Sequence, residues 1–431
     1  MGNRYGTCFL FLFMLAEGGV PKYDIACVGA GMAGLAAAAL LTRAGKTVCL
    51  MDPADSAGGC VVAQEIEGFR FTAGPTLTYG FEPGGILKKL FSDLGLSASA
   101  ASSSPGYQVV IPDHRISVSG DPRETLEELV REFPDERHGL TKLYHEVHKL
   151  SERSSKSRLS SYLLRQRTAA AYLHSYRFGK SVTAYFDVQS RFFFGSTLQH
   201  LPLASLVLML TTAPHHLPGG FTRLADQLLS IVQEKNGDWY PGDPFPELLF
   251  RANRITGIRT SRGIIEPRSV ILNVPGERAD SILFLGIPDE VVPVGMFPNV
   301  LCLAEDERFG DYYALSLSPA DERLAAPAGM LSMTAVFSPA KVFDQTIDSF
   351  VSRITPVVPF LHEFLVTSSM QDTHARQVPL PPSVAVKSSE YRVGRPMLSP
   401  CSVKNLKIIP DSARFLLPAV FTAQAVAEKL K

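Results

Sequence analysis

The sequence predicts an α/β fold that starts with a strand, a helix and a second strand, and three observations support this. The first is a short apolar run at residues 23–28, which is typical of a buried strand. The second is the pattern G-A-G-M-A-G at residues 29–34, followed by an Ala/Leu-rich stretch that predicts a helix ending at Gly45. The third is another apolar run at residues 47–51, which predicts a second strand and leads into Asp52.

The glycine pattern gives this unit the character of a dinucleotide-binding turn. Gly29 permits a tight turn, Gly31 lets a pyrophosphate approach the backbone, and Gly34 lets the helix pack closely on the strand. The helix N-terminus offers unpaired N–H groups and a partial positive charge to phosphate oxygens. Asp52 follows the second strand, where a carboxylate accepts hydrogen bonds from a ribose diol. The alternative is a glycine-rich turn without a ligand, which the order of strand, helix, strand and acid disfavours.

Composition limits the classes of function. The chain has 431 residues, which predicts two domains or one large interleaved domain. Lys+Arg and Asp+Glu both number 42, so the formal net charge is zero and a general attraction to nucleic acid is not indicated. The six cysteines form no C-x-x-C pair, which favours a reducing, cytoplasmic location without a disulfide framework or zinc site. His215 and His216 have no third ligand in view and are predicted to be loop residues.

Two segments have a composition that bears on membrane association. Residues 8–16 are apolar but shorter than the ~20 residues of a spanning helix. Residues 1–20 are therefore predicted to be an N-terminal extension, with a secretory signal as the alternative. Residues 153–180 carry Lys and Arg but no acid, with apolar residues between them. Such a stretch fits either amphipathic helices that cover a core or a peripheral contact with an anionic membrane, and the first use is commoner.

Several motifs resemble those of a known family. Residues 29–34, Asp52, the pair Gly58-Gly59 and residues 68–76 (GFRFTAGPT) are similar to the phytoene desaturase and carotenoid isomerase branch of the FAD-dependent amine oxidase superfamily. Residues 218–220 (PGG), before a predicted helix, form a second landmark of that branch. The resemblance implies a Rossmann-like FAD-binding domain built from discontinuous segments, together with an α+β substrate domain.

The resemblance also implies domain boundaries. The FAD-binding domain would comprise residues 21–100, 212–276 and 395–431. The substrate domain would comprise residues 101–211 and 277–394. Each domain would then be visited more than once by the chain, as expected for a domain assembled from separated segments.

The resemblance further implies FAD as the cofactor and a set of residues that hold it. The candidate cofactor-binding residues are Gly29, Ala30, Gly31, Met32, Gly34, Asp52, Gly58, Gly59, Gly74, Pro75, Phe245 and Asp411. Phe245 would meet the adenine through its backbone, and Asp411 would meet the ribityl chain. No catalytic side chain and no metal site is predicted, because in such enzymes the flavin carries the hydride chemistry.

The function implied by the resemblance is an FAD-dependent, desaturase- or isomerase-like oxidoreductase that acts on a small apolar, polyene-type substrate by flavin hydride transfer. Two alternatives stay open, a flavin amine oxidase and a non-catalytic relative that kept the fold. The second alternative rests on departures from the family pattern. Cys60 and Thr72 stand where Arg and Asp are usual, while Pro410 and residues 414–417 replace a Gly and a Pro-Gly loop. The fold alone does not choose among these functions.

Overall fold

The computed structural model describes most of the chain. The described residues are 20–61, 63–72, 76–97, 102–103, 106–217, 220–235, 237–243, 247–274, 280–303, 312–317, 326–338, 346–372, 403–410 and 416–431. Within these ranges, two seven-stranded sheets and two small sheets are joined by helices. One large sheet contains the strands next to the predicted dinucleotide-binding turn.

The elements are numbered in chain order. The strands are β1 (Lys22–Val28), β2 (Val48–Met51), β3 (Gln64–Ile66), β4 (Phe69–Phe71), β5 (Leu77–Thr78), β6 (Ser102–Ser103), β7 (Gly106–Ile111), β8 (His114–Ser119), β9 (His215–His216), β10 (Asp238–Tyr240), β11 (Glu247–Arg251), β12 (Arg254–Thr260), β13 (Gly263–Val274), β14 (Ser281–Pro288), β15 (Asn299–Leu303), β16 (Tyr312–Leu317), β17 (Met330–Ser338), β18 (Thr367–Asp372) and β19 (Leu406–Pro410). The helices are α1 (Met32–Arg43), α2 (Ile86–Leu94), α3 (Pro122–Glu132), α4 (Arg137–Lys156), α5 (Arg158–Gln166), α6 (Ala169–Leu173), α7 (Lys180–Phe194), α8 (Leu203–Thr211), α9 (Gly220–Glu234), α10 (Ile347–Ile354) and α11 (Leu416–Leu430).

The first sheet is assembled from widely separated parts of the chain. Its order is β10-β2-β1-β13-β12-β11, and β19 pairs with β13. Strand β1 is parallel to β2 and to β13, and β19 is also parallel to β13, whereas β11, β12 and the start of β13 are antiparallel. The predicted α/β fold with a Rossmann-like, discontinuous sheet is confirmed. The predicted domain boundaries stay a prediction.

Helix α1 lies at the centre of this half of the molecule. Residues Met32 to Thr42 are all buried, and the helix shares one apolar cluster with residues of α2, α9 and α11. A helix that is apolar on every face is a core helix rather than an amphipathic surface helix. The Ala-rich composition suits this position, because small side chains let the neighbouring helices and the sheet approach α1 from several directions.

The second sheet has the order β18-β14-β17-β16-β15-β7-β8. The sequence predicts strands at residues 107–111 and 116–118, and both are confirmed as β7 and β8 of this sheet. Residues 312–317 alternate in part in hydrophobicity, which predicts a half-buried strand, but this is wrong because β16 is buried at every position. Alternate residues of β16 join two different apolar clusters, one shared with helices α3 to α8 and one with α10, and both faces of the strand are therefore covered.

Two further predictions of local structure need correction. His215 and His216 form strand β9 rather than a loop, because their backbone pairs with β5 on one side and β6 on the other. The sequence predicts a helix over residues 343–365 with breaks near Pro356 and Pro359. The described helix is shorter, Ile347–Ile354, and turns follow it, since a proline supplies no N–H group for a helical hydrogen bond. Residues 343–345 lie outside the described residues.

The stretch 153–180 is largely helical and includes α5 and α6. Among the helices in the described ranges, none combines the length and the apolar character needed to cross a bilayer.

Candidate dinucleotide-binding site

The predicted turn lies at the carboxyl end of β1, where the chain enters α1. The Gly29 N–H donates to the Met51 carbonyl at 2.8 Å, which joins the turn to the end of β2. Gly29 has φ +99°, and a Cβ at this position would lie 2.4 Å from the Asn273 carbonyl oxygen. Only glycine suits this position, because the conformation is strained for other residues and the space is filled by backbone.

Gly34, in the first turn of α1, sets how closely the helix packs on the strand. A Cβ on Gly34 would lie 2.0 Å from the carbonyl oxygen of Gly29. That separation is far inside van der Waals contact, and the obstructing atom belongs to the backbone. The glycine therefore brings the N-terminus of α1 directly against the turn, as the sequence pattern predicts.

The Asp52 carboxylate faces the same turn. Its Oδ2 accepts the Ala30 N–H at 2.7 Å, and its Oδ1 accepts the Ala54 N–H at 2.9 Å. Burial raises the pKa of the Asp52 carboxyl above its ordinary value, and the two N–H groups partly offset that rise. An ionised carboxylate has about four acceptor positions, so two remain for the hydroxyl groups of a ribose.

The pair Gly58-Gly59 packs on the turn from a second side. The Gly58 N–H donates to the Ala30 carbonyl at 2.8 Å, and Gly31 and Gly58 form a parallel backbone bridge. A Cβ on Gly59 would lie 3.3 Å from the Gly31 Cα. The residues against Gly31 on this side are thus glycines, which have no side chain to block the approach of a phosphate to the backbone.

The start of α1 has the properties of an anion-binding site. Gly31 is the N-cap residue and supplies no side-chain hydrogen bond to the helix. Met32, the first helical residue, is fully buried, and the first turn contains no acidic residue. The helix dipole and the N–H groups of this turn are therefore not offset by a capping carboxylate or hydroxyl.

The structure thus brings most of the candidate residues together. Those that meet at the turn are Gly29, Ala30, Gly31, Met32, Gly34, Asp52, Gly58 and Gly59. Four other candidates, Gly74, Pro75, Phe245 and Asp411, lie outside the described residues. The role of all twelve in binding a cofactor stays a prediction.

The residues that flank Gly74 and Pro75 are tied to the second sheet. The Thr334 hydroxyl donates to the Thr72 carbonyl at 3.2 Å, and the Thr76 hydroxyl donates to Asn299 Oδ1 at 3.0 Å. The Ser316 hydroxyl donates to the same Asn299 oxygen at 3.0 Å. Because Thr76, Asn299 and Ser316 are buried, these bonds hold Thr72 and Thr76 against the second sheet.

Sequence reasoning missed two polar groups. Asn273 Oδ1 and His215 Nδ1 are buried without a hydrogen-bond partner among the described residues. Burial lowers the pKa of His215, while Glu82 acts in the opposite direction, and the ring packs against Phe81 with centroids 5.6 Å apart. The available signal for Asn273 was a carboxamide at the end of an otherwise apolar strand. In the described part of the chain, no three His, Cys, Asp or Glu side chains are grouped as metal ligands.

Comparison with known proteins agrees with this geometry. Residues 27–94 match a family profile described as an NAD(P)-binding Rossmann-like domain. A carotenoid 3,4-desaturase of Haloarcula japonica is 27% identical over 150 residues, which are 34% of this chain and 29% of the relative. A neurosporene-forming phytoene desaturase of Rhodobacter capsulatus is 24% identical over 273 residues, which are 57% of this chain and 51% of the relative. The matched segments are thus similar to those of the phytoene desaturase-like branch of the FAD-dependent amine oxidase superfamily.

The resemblance stated from the sequence motifs is thereby confirmed. Structural comparison shows a likeness of fold over nearly the whole chain. A double mutant of putrescine oxidase superposes with a TM-score of 0.59 at 14% identity, covering 95% of this chain and 99% of the oxidase. At that identity the likeness concerns the fold alone. The matched sequences of the two desaturases span about half of their length or less, so their activities and substrates do not transfer directly.

Proposed function

We propose that this chain binds FAD and acts as a flavin-dependent oxidoreductase on an apolar, polyene-type substrate. The observation that carries the proposal is the meeting of two backbone segments and one side chain at one helix N-terminus. They are the turn at residues 29–34, the pair Gly58-Gly59 and the carboxylate of Asp52. This combination offers N–H groups to a pyrophosphate and hydrogen-bond acceptors to a ribose. The pyrophosphate and the ribose are parts that dinucleotides share.

Each group has a defined task in the proposed complex. The N–H groups at the start of α1 would hold the pyrophosphate, and Asp52 would accept from the adenosine ribose. Gly31 and Gly59 would allow the phosphates to lie against the backbone. When bound, a flavin supplies the acceptor for a hydride taken from the substrate. The protein then has to position the substrate and exclude water, so an active site of this kind needs no nucleophilic side chain.

One observation supports an apolar substrate. The desaturases that resemble this chain are named for carotenoid and phytoene. A site built for a hydrocarbon would disfavour a charged amine, because burying an ammonium group without a partner costs several kcal/mol or more.

The decisive experiment measures FAD directly. Purified protein is expected to be yellow and to release FAD on denaturation, and protein stripped of FAD should take it up again. Under anaerobic conditions, a detergent-dispersed polyene is expected to bleach the flavin. The flavin is reduced as two adjacent carbons of the polyene each lose one hydrogen and a C=C double bond forms between them. Bleaching by putrescine but not by polyenes would favour the amine oxidase alternative. Colourless protein that cannot be reconstituted would favour the non-catalytic relative.

A peripheral membrane contact belongs to the same proposal, because a polyene is stored in a bilayer. Helix α5 exposes two adjacent apolar side chains, with Tyr162 59% and Leu163 54% exposed. Arg165 and Arg167 are exposed beside them, and α5 contains no acidic residue. Exposed apolar side chains next to basic ones are typical of a helix that lies on an anionic membrane surface.

We expect the double variant Tyr162→Ser/Leu163→Ser to bind anionic vesicles several-fold more weakly than the unmodified protein. The reason is the loss of apolar area that enters the interface, while the nearby charges remain. Co-sedimentation with phosphatidylserine-containing vesicles measures the effect. The matched control is Val294→Ser, which removes another fully exposed apolar side chain from the loop before β15. An equal loss of vesicle binding in the double variant and in Val294→Ser, or no loss in either, would contradict a contact through α5.

A further inference from the structure

Asn273 lies in the sheet next to the proposed cofactor site, and its side-chain oxygen is buried without a hydrogen-bond partner among the described residues. It is the penultimate residue of β13 and pairs with Ile409 of the parallel strand β19. The residue is 6% exposed, and its Oδ1 has no hydrogen-bond partner within the described residues. Buried side-chain oxygens of this kind are rare, because an unpaired polar atom loses its hydration without compensation.

The position of Asn273 connects it to the dinucleotide-binding turn. Its Cβ would lie 3.2 Å from a Cβ on Gly29 and 3.3 Å from a Cβ on Gly34. The Asn273 side chain therefore leaves the backbone beside both glycines, where the carboxyl ends of parallel strands face the N-terminus of α1. In open α/β sheets, ligands bind outside the carboxyl ends of the strands.

A second buried asparagine shows what a purely structural carboxamide looks like here. Asn405 is 7% exposed, and its Oδ1 accepts the Ile255 N–H at 3.0 Å. Its Nδ2 donates to the carbonyls of Ile255 at 2.9 Å and Arg268 at 3.1 Å. Asn405 thus uses both ends of its amide to join backbone segments, whereas Asn273 makes no such bond through Oδ1.

We propose that Asn273 is a further cofactor-binding residue, whose carboxamide donates a hydrogen bond to a phosphate oxygen of the bound dinucleotide. A half-turn about χ2 exchanges the oxygen and the NH2 group, so the buried position takes a donor when a phosphate is present. This inference rests on the proposed function, since it requires a dinucleotide at the turn. It adds a side-chain donor to a site otherwise built from backbone N–H groups.

The test compares Asn273→Leu with Asn405→Leu, both in the full-length protein. Apo-protein melting temperature and the Kd for FAD, followed by flavin fluorescence, are measured for each. For Asn273→Leu we expect an unchanged or higher melting temperature and a Kd about 10-fold higher or more, because a bond to a charged group is lost. For Asn405→Leu we expect a lower melting temperature, because two carbonyls and one N–H lose their partners, and an unchanged Kd.

A second variant, Asn273→Asp, keeps nearly the same shape but places a carboxylate beside the phosphate. We expect its Kd for FAD to rise more than that of Asn273→Leu, because a donor is lost and a like charge is added. Unaltered FAD affinity in both Asn273 variants, with wild-type protein that binds FAD, would overturn this inference alone. Wild-type protein that takes up no FAD would overturn the proposed function and this inference together.

Discussion

Replacing Gly31 with valine is expected to abolish flavin retention while leaving the fold intact. Gly31 has φ −64° and ψ 170°, an extended conformation that valine adopts without strain. Its side chain would stand where the phosphates approach the backbone, at the N-terminus of α1. We expect the Kd for FAD to rise at least 100-fold, which corresponds to about 2.8 kcal/mol of binding free energy. Flavin absorbance of the purified protein and FAD titration of the apo-protein measure the effect.

The control for Gly31→Val is Ala44→Val, at the exposed opposite end of the same helix. Both variants add a branched side chain to an end of α1, but only one of them lies at the proposed phosphate site. Apo-protein melting curves of the two should be similar to that of the wild type. Undiminished flavin content in Gly31→Val would place the pyrophosphate elsewhere.

Replacing Gly34 with alanine is expected to have the largest effect on stability. The new Cβ would lie 2.0 Å from the Gly29 carbonyl oxygen, and backbone rather than a mobile side chain would have to move. We expect the free energy of unfolding to fall by about 3 kcal/mol, the upper end of the usual cost of overpacking. Chemical denaturation of the apo-protein measures this loss, and FAD affinity should fall with it because α1 would be displaced from the turn.

Gly139 offers a matched control for Gly34, since it is also a helical glycine, in α4. A Cβ there would meet the ring of Phe178 at 2.9 Å, and a side-chain ring can shift. Alanine also has a higher helix propensity than glycine by about 1 kcal/mol, so Gly139→Ala should be neutral or stabilising. A similar loss of unfolding free energy in Gly34→Ala and Gly139→Ala would show that backbone contact at the turn does not cause the destabilisation.

The N-terminal unit could be predicted closely because its signals are local. The apolar run, the glycine pattern and the Ala-rich stretch each act within a few residues, and they correspond to β1, the turn and α1. The pair Asp121-Pro122 likewise predicts the start of a helix, which is present, and the Asp121 side chain accepts the Arg123 N–H at 2.8 Å. Capping, proline at the first helical position and 3.6-residue periodicity depend on neighbours in sequence, so reasoning from the sequence works well there.

What could not be predicted depends on contacts between distant segments. The run at residues 270–273 predicts only a short strand, but β13 is longer because its start pairs with β12 before the rest pairs with β1. His215 and His216 have no strand pattern of their own, and β9 exists because β5 and β6 flank it. The unpartnered oxygen of Asn273 likewise appears only once Gly29 and Gly34 are packed beside it.

The interleaving of the first sheet has a consequence for biosynthesis. Strand β1 pairs with β13, and the partner of Val28 in that strand, Leu272, comes 244 positions later (272 − 28). At a translation rate of about 5–20 residues per second, that interval lasts roughly 12–50 s. During this time the apolar edge of β1 stays unpaired, because β13 has not yet been synthesised. Nascent chains should therefore depend on chaperones, and fragments that end before β13 should aggregate rather than fold.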